Sequence, residues 1–265
     1  MNGGNIRMGA SLSGGPIERP PSAFGPDFLS WFRSRTEQAW AAHVPRDQMR
    51  ARVGGLDWQT GTHWRGGMTV AEIEAAEGRF GLAFPPDFRL FLATLHTPDP
   101  VMVGAHFEGS TLVPSTGRLF QDWLGDPRPI EAALAWPVEG LLWSIEANQD
   151  WYVGWGPRPR TAEEREAVVR RIAATGPALV PVYGHRYLVG DPQFAGNPVL
   201  SIYGTDVIVF AEDLRSYLIA ELASLLPLPS PLPGVHEASL PSGAPYAPIR
   251  FWQDLIDGAS AQRPG

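Results

Sequence analysis

Residues 69–95 constrain the fold most, because TVAEIEAAEGRFGLAFPPDFRLFLATL predicts two short helices with a break between them. Thr69 and Glu72 form the T-x-x-E pattern of a capping box, which marks the start of a helix. Gly81 stands where a left-handed residue ends a helix. The Pro-Pro-Asp sequence at 85–87 suits the first turn of a second helix.

Glu77 lies within the apolar stripe that Val70, Ile73 and Phe80 form on the first predicted helix. It could reach the edge of the helix and be half solvated. It could instead be buried and accept hydrogen bonds from free backbone N–H groups of the linker at 81–86. We favour the second interpretation, in which Glu77 fixes the angle between the two helices. This role is structural, since no histidine or nucleophile adjoins Glu77 in the sequence.

The order of the predicted elements favours an α+β fold. Helical spacing covers residues 24–43, and a Thr161–Glu164 capping box opens a helix at 161–175. A closing helix is expected at 212–226. The predicted strands are VMVGAHF, STLVPS, GLLWSIE, ALVPVYG, PVLSIYG and DVIVFA. Strands and helices do not alternate regularly, which argues against a doubly wound parallel sheet.

The sequence predicts one main domain at residues 23–226, flanked by two segments of different composition. Residues 1–22 are rich in glycine and polar residues and are expected to be disordered. Residues 227–265 form a tail with seven prolines between 227 and 248, and its IRFWQDLI sequence predicts a short docked helix. With 44% hydrophobic residues, the 265-residue chain can bury a substantial core.

Composition excludes several kinds of chemistry. The chain has no cysteine, and all 21 of its basic residues are arginine, which removes thiolate, Schiff-base and Walker-lysine mechanisms. The six histidines are scattered, so neither a metal site nor a cofactor is expected. A net charge of −7 argues against nucleic acid as a partner. Without an apolar leader or a run of about 18 apolar residues, a cytoplasmic protein with no membrane partner is expected.

Polar residues are dense at 183–206. The cluster contains His185, Arg186, Tyr187, Asp191, Asn197, Tyr203 and Asp206. These side chains could meet a ligand in a groove, or His185 could act as a base that Asp206 orients. Alternatively, they hold turns by bonding to the local backbone.

Four aromatic residues form a second candidate site. They are Trp143, Trp151, Tyr152 and Trp155. Tryptophan and tyrosine are the residue types of interface hot spots, so an exposed cluster would mark a binding surface. The alternative is that these side chains pack in the core.

The sequence of 69–95 resembles the N-terminal motif of the SMI1/KNR4 family, in the SUKH superfamily. The residues that match the motif are Glu77, Gly81, Phe84, Pro85, Phe88, Phe91 and Leu92. The segments WPVEGLLWSIEANQDWYVGWGPRP, PVYGHRYL and AGNPVLSIYGTDVIVFAEDL are similar to bacterial members. The resemblance covers roughly residues 58–226.

The resemblance implies N-terminal helices packed on a curved, mainly antiparallel sheet, with an inserted helix and a closing C-terminal helix. It also implies a non-catalytic protein-binding module. Many bacterial members look like immunity proteins that neutralise a partner toxin, and an acidic chain suits a basic toxin. Two other hypotheses come from the residues themselves. They are a small hydrolase that uses His185 and Asp206, and a sensor that binds a small ligand on a tryptophan-rich sheet face.

Overall fold

A computed structural model of the protein describes residues 19–46, 55–226 and 249–257. The bounds and contacts below refer to these residues. Most of the predicted N-terminal extension and the proline-rich segment at 227–248 lie outside them, so those two expectations stay predictions.

Three helices form the N-terminal part: α1 (Pro26–Ala42), α2 (Val70–Phe80) and α3 (Pro86–Thr94). The predicted capping box is present, because Thr69 accepts the backbone N–H of Glu72 and Glu72 accepts the backbone N–H of Thr69. Gly81 ends α2 at φ 64°, in the left-handed region that favours glycine. The prediction of two helices with a break is confirmed.

Glu77 joins these two helices as expected. Its Oε1 accepts the backbone N–H of Phe84 in the linker at 2.8 Å. Its Oε2 accepts a guanidinium N–H of Arg89 from α3, a contact that the sequence did not predict. The Glu77 side chain is 14% exposed, so both bonds are partly shielded from water. Val70, in contrast, is 64% exposed and does not belong to the buried stripe.

Five strands, two between α1 and α2 and three after α3, form two small sheets. They are β1 (Leu56–Asp57), β2 (His63–Trp64), β3 (Pro98–Asp99), β4 (Met102–Glu108) and β5 (Thr111–Gly117). One sheet has the order β1-β4-β5, the other pairs β2 with β3, and all of their pairings are antiparallel. The predictions of strands at VMVGAHF and STLVPS are confirmed.

The prediction of a strand at GLLWSIE is wrong, because this sequence belongs to the helix α4 (Arg128–Asn148). Ile130, Leu141 and Ile145 are buried at helical spacing. Pro137 lies inside the helix and lacks the N–H that would bond the carbonyl four residues back. That carbonyl, on Ala133, instead accepts the hydroxyl of Tyr187 at 2.9 Å. The Tyr187 hydroxyl therefore bonds the carbonyl that Pro137 leaves without its helical partner.

The C-terminal part is built on a four-stranded antiparallel sheet. Its strands, β6 (Leu179–Tyr183), β7 (Arg186–Val189), β8 (Val199–Tyr203) and β9 (Asp206–Ala211), pair in sequence order. The helices around it are α5 (Ala162–Ala173), α6 (Leu214–Glu221) and α7 (Arg250–Ile256). The sequence predicted β6, β8, β9 and the three helices. It missed β7, whose residues were assigned to the polar cluster.

Both faces of this sheet are covered, and each face belongs to its own core. One face contributes Val180, Val182 and Leu188 to a core shared with α1, α2, α3 and α6. The other contributes Leu200 and Ile202 to a core shared with α4, α5 and α7. The predicted α+β class is confirmed. No helix in the described ranges is long and apolar enough to cross a membrane.

Candidate functional site

The prediction of an exposed aromatic cluster is wrong for three of its four residues, which pack in the core, the alternative that the sequence left open. Trp151, Tyr152 and Trp155 are 0%, 6% and 7% exposed and pack in the second core. Helix α7 contributes to their burial, since Trp155 stacks on Phe251 with ring centroids 5.7 Å apart. Only Trp143 is exposed, at 70%.

Part of the polar cluster holds a turn. Asn197 is fully buried, and its side-chain amide donates to the backbone carbonyls of Asp191 and Phe194 at 3.0 and 2.8 Å. The Asp191 carboxylate accepts the backbone N–H of Gln193. For Asn197 and Asp191 the structure therefore supports the turn-holding interpretation.

Arg186 and Tyr187, neighbours on β7, make contacts in different parts of the molecule. The Arg186 guanidinium lies 3.9 Å from the centre of the Phe210 ring and donates to the Ser201 hydroxyl at 2.6 Å. Tyr187 is buried, and its hydroxyl bonds to α4 as described above. Alternation along a strand places adjacent side chains on opposite faces of the sheet. The predicted site residues of β7 therefore do not converge.

Two of the predicted residues, His185 and Tyr203, lie close together, and Trp136, which the sequence did not indicate, lies beside Tyr203. The rings of His185 and Tyr203 are 6.0 Å apart at an interplanar angle of 76°. Trp136 of α4 lies 6.2 Å from Tyr203 at 53°. These three rings border an open cavity of about 370 Å³, which Ala132, Ala133, Gly184 and Tyr187 also line.

Gly204 brings the β8–β9 hairpin close to α4, and Gly140 makes room for the Trp136 indole. Gly204, in the hairpin turn, has φ 61°, and a Cβ there would lie only 2.0 Å from the Ser144 hydroxyl of α4. The Trp136 indole lies against Gly140, one turn further along α4, where an added Cβ would be 3.2 Å from the ring. The absence of both side chains lets the hairpin and the indole lie close to the helix.

His185 and Asp206 form no hydrogen bond within the part of the chain that the structure describes. Burial lowers the pKa of His185, the charge of Arg186 lowers it further, and the charge of Asp206 partly opposes this shift. The Asp206 carboxylate is exposed and acts on His185 through its field alone. A base held in position by a carboxylate needs a direct bond between the two groups, which this geometry lacks.

The three rings at the cavity, together with the exposed Trp143 further along α4, define the candidate site. We name Trp136, Trp143, His185 and Tyr203 the aromatic surface. Trp136 is 42% exposed and Tyr203 is 63% exposed. Trp143 lies on the same side of α4 as Trp136, two turns or roughly 10 Å further along the axis. The seven-residue spacing of the two tryptophans would have indicated this surface, had the sequence around them been recognised as a helix.

A second cavity, of about 540 Å³, has the charged residues Arg118, Asp122 and Asp126 among those that line it. Arg118 bonds to Asp99 at 3.0 Å, and Asp122 bonds to Arg65 at 2.8 Å and lies 3.5 Å from Arg118. The nearby His96 is buried and accepts the backbone N–H of Trp123. These pairs join the loops of the N-terminal part, and we assign them a structural role.

Neither metal ligation nor similarity to known proteins identifies the site further. The described residues contain no group of three or more histidine, aspartate or glutamate side chains arranged to hold a metal ion. No family model, curated protein or solved structure matches the chain. The function therefore has to be inferred from the geometry and from the resemblance noted in the sequence.

Proposed function

We propose that the protein is a non-catalytic protein-binding module and that the aromatic surface contacts its partner. The observation that carries the proposal is the exposure of Trp136 and Tyr203, whose rings are 6.2 Å apart, together with that of Trp143 two turns further along the same side of α4. Single exposed apolar residues are common, whereas a group of them marks an interaction site.

The binding energy that tryptophan and tyrosine contribute at interfaces supports this choice of surface. Tryptophan and tyrosine contribute large contact areas at a low cost in conformational entropy, and they are enriched among the residues that dominate binding energy. Trp136 and Tyr203 are held in place by the close approach of the hairpin to α4 at Gly204. A surface held in this way loses less freedom when a partner binds.

The resemblance to the SUKH superfamily extends the proposal to the kind of partner. We infer an immunity protein of the cytoplasm that neutralises a toxin encoded nearby. A net charge of −7 favours association with a basic protein. This extension depends on the matched residues of 69–95 and on the charge, whereas the binding role depends on the aromatic surface.

Affinity capture from the source organism, with the tagged full chain, tests the binding role. The wild-type chain should retain one stoichiometric protein. A variant with Trp136→Ala and Tyr203→Ala should retain it about 30-fold less tightly, the usual effect of losing a hot-spot contact. Phe107→Ala is the matched control, since Phe107 is 57% exposed on β4 and forms no ring contact within the described residues.

The possible outcomes distinguish the binding role from the immunity role. Retention of no protein, or equal retention by wild type and the double variant, would contradict the binding role. A retained partner whose production harms cells, with the harm suppressed by this protein, would support the immunity role. A harmless partner would remove the immunity role and leave the binding role intact.

A further inference from the structure

The cavity at the aromatic surface has walls suited to a cation. The rings of Trp136, His185 and Tyr203 border it at large mutual angles, with centroids about 6 Å apart in each contacting pair. The face of an aromatic ring carries negative potential, so a cation within about 6 Å of several ring centres is attracted by each of them.

Among the described residues, no cationic side chain lines this cavity. Asp206, at the start of β9, forms no ion pair within the described ranges, and its negative field at His185 opposes the stronger positive field of Arg186. The guanidinium of Arg186 is held instead by Phe210 and Ser201. Because burial lowers the pKa of His185, its ring is neutral near pH 7 and does not repel a cation.

A guanidinium suits this cavity better than an ammonium. It is planar and weakly hydrated, and it stacks on aromatic faces, whereas an ammonium is compact and strongly hydrated. The planar Trp136 indole lies against Gly140 and lines the cavity. The acidic chain as a whole favours the approach of an arginine-bearing partner.

We propose that the cavity between Trp136, His185 and Tyr203 takes the guanidinium of an arginine side chain from the protein partner. The proposal rests on the proposed function, because it identifies the chemistry that the aromatic surface recognises. In the complex, the guanidinium lies against the rings of Trp136 and Tyr203, and the negative field of Asp206, which reaches His185, offsets part of its charge.

Titration with three short capped peptides tests the proposal on the full chain. The peptides are Gly-Arg-Gly, Gly-Lys-Gly and Gly-citrulline-Gly, and citrulline keeps the shape of arginine without its charge. Binding is followed by NMR through the indole N–H resonance of Trp136. The arginine peptide should give a saturable shift, whereas the lysine peptide should bind about fivefold more weakly and the citrulline peptide should give no saturable shift.

Variants check that the shift arises in the cavity. Tyr203→Leu should abolish the saturable shift, and Asp206→Asn should weaken binding about threefold, as expected for a screened surface charge. Phe107→Leu is the control and should bind like wild type. Equal binding of the citrulline or lysine peptide, or an unchanged shift in Tyr203→Leu, would overturn the proposal.

The two proposals fail in different ways. If the arginine peptide does not bind but affinity capture still depends on Trp136 and Tyr203, the guanidinium site is wrong and the binding module stands. If the peptide binds as expected but no protein is captured, the cavity recognises guanidinium and the proposed function is wrong.

Discussion

Glu77 shows how one carboxylate fixes the geometry of two helices. It accepts the backbone N–H of Phe84 in the linker and a guanidinium N–H of Arg89 on α3, and it is largely shielded from water. Hydrogen bonds to a charged acceptor are stronger than neutral ones. Removing the carboxylate leaves the Phe84 N–H and the Arg89 guanidinium without this partner.

Glu77→Ala should therefore lower the free energy of unfolding by about 1–3 kcal/mol. Glu74→Ala is the matched control, because Glu74 is 63% exposed and its contact with Arg89 is 3.9 Å long. The control should change stability by less than about 0.5 kcal/mol. Urea unfolding of both variants measures the difference, and equal losses would show that Glu77 does not join the helices.

His96 makes stability depend on pH. Burial lowers its pKa from 6.5 to about 4 in the folded chain, although the charge of Asp122 partly opposes the shift. Between pH 6.5 and 4 the unfolded chain therefore binds more protons than the folded chain, so stability falls as the pH falls. The contribution of His96 is fully present above pH 6.5, and the loss by pH 4 is on the order of 3 kcal/mol.

Comparison with His96→Gln isolates this contribution. Glutamine keeps an acceptor for the Trp123 N–H and does not titrate. Unfolding by urea, measured from pH 7.5 to pH 4, should show a steeper loss for the wild-type chain than for the variant. Parallel curves for the two proteins would mean that His96 does not carry the pH dependence.

At the scale of elements, the pairing of Pro137 with Tyr187 ties α4 to the central sheet. Tyr187→Phe removes the hydroxyl that bonds the Ala133 carbonyl and should cost about 1–2 kcal/mol. In a Pro137→Ala background the restored N–H can bond the same carbonyl, so the same change should cost less. A double-mutant cycle measures this coupling, and purely additive effects would contradict it.

The elements differ in how far the sequence could predict them. The helices α2 and α5 carry capping boxes, so local signals indicate where each begins. The sequence predicts a strand at GLLWSIE because it is a short run of β-type residues set off by glycine and proline, and the bond that compensates for Pro137 comes from β7, distant in sequence. The strand β7 has only four residues and lies within the polar segment 183–206, so the sequence does not indicate it as a strand.

At the scale of the whole molecule, α7 changes the interpretation of the aromatic residues. Phe251 and Trp252 of α7 are buried in the second core, and Phe251 stacks on Trp155. This helix spans Arg250–Ile256 of the predicted tail, so that part of the tail belongs to the core. Whether a tryptophan is exposed depends on such long-range packing, which explains why the sequence left core and interface as alternatives. The aromatic surface could be predicted only in part, because the sequence indicates Trp143, His185 and Tyr203 as candidates but not Trp136.

Photo-crosslinking in cells of the source organism tests the binding role of the aromatic surface most directly. Benzoylphenylalanine replaces Trp143, whose 70% exposure means that the fold tolerates the change, or Phe107 as the control on β4. We predict one protein adduct of defined mass from position 143 and none from position 107. No adduct at 143, or the same adducts from both positions, would contradict the claim that this surface contacts a partner.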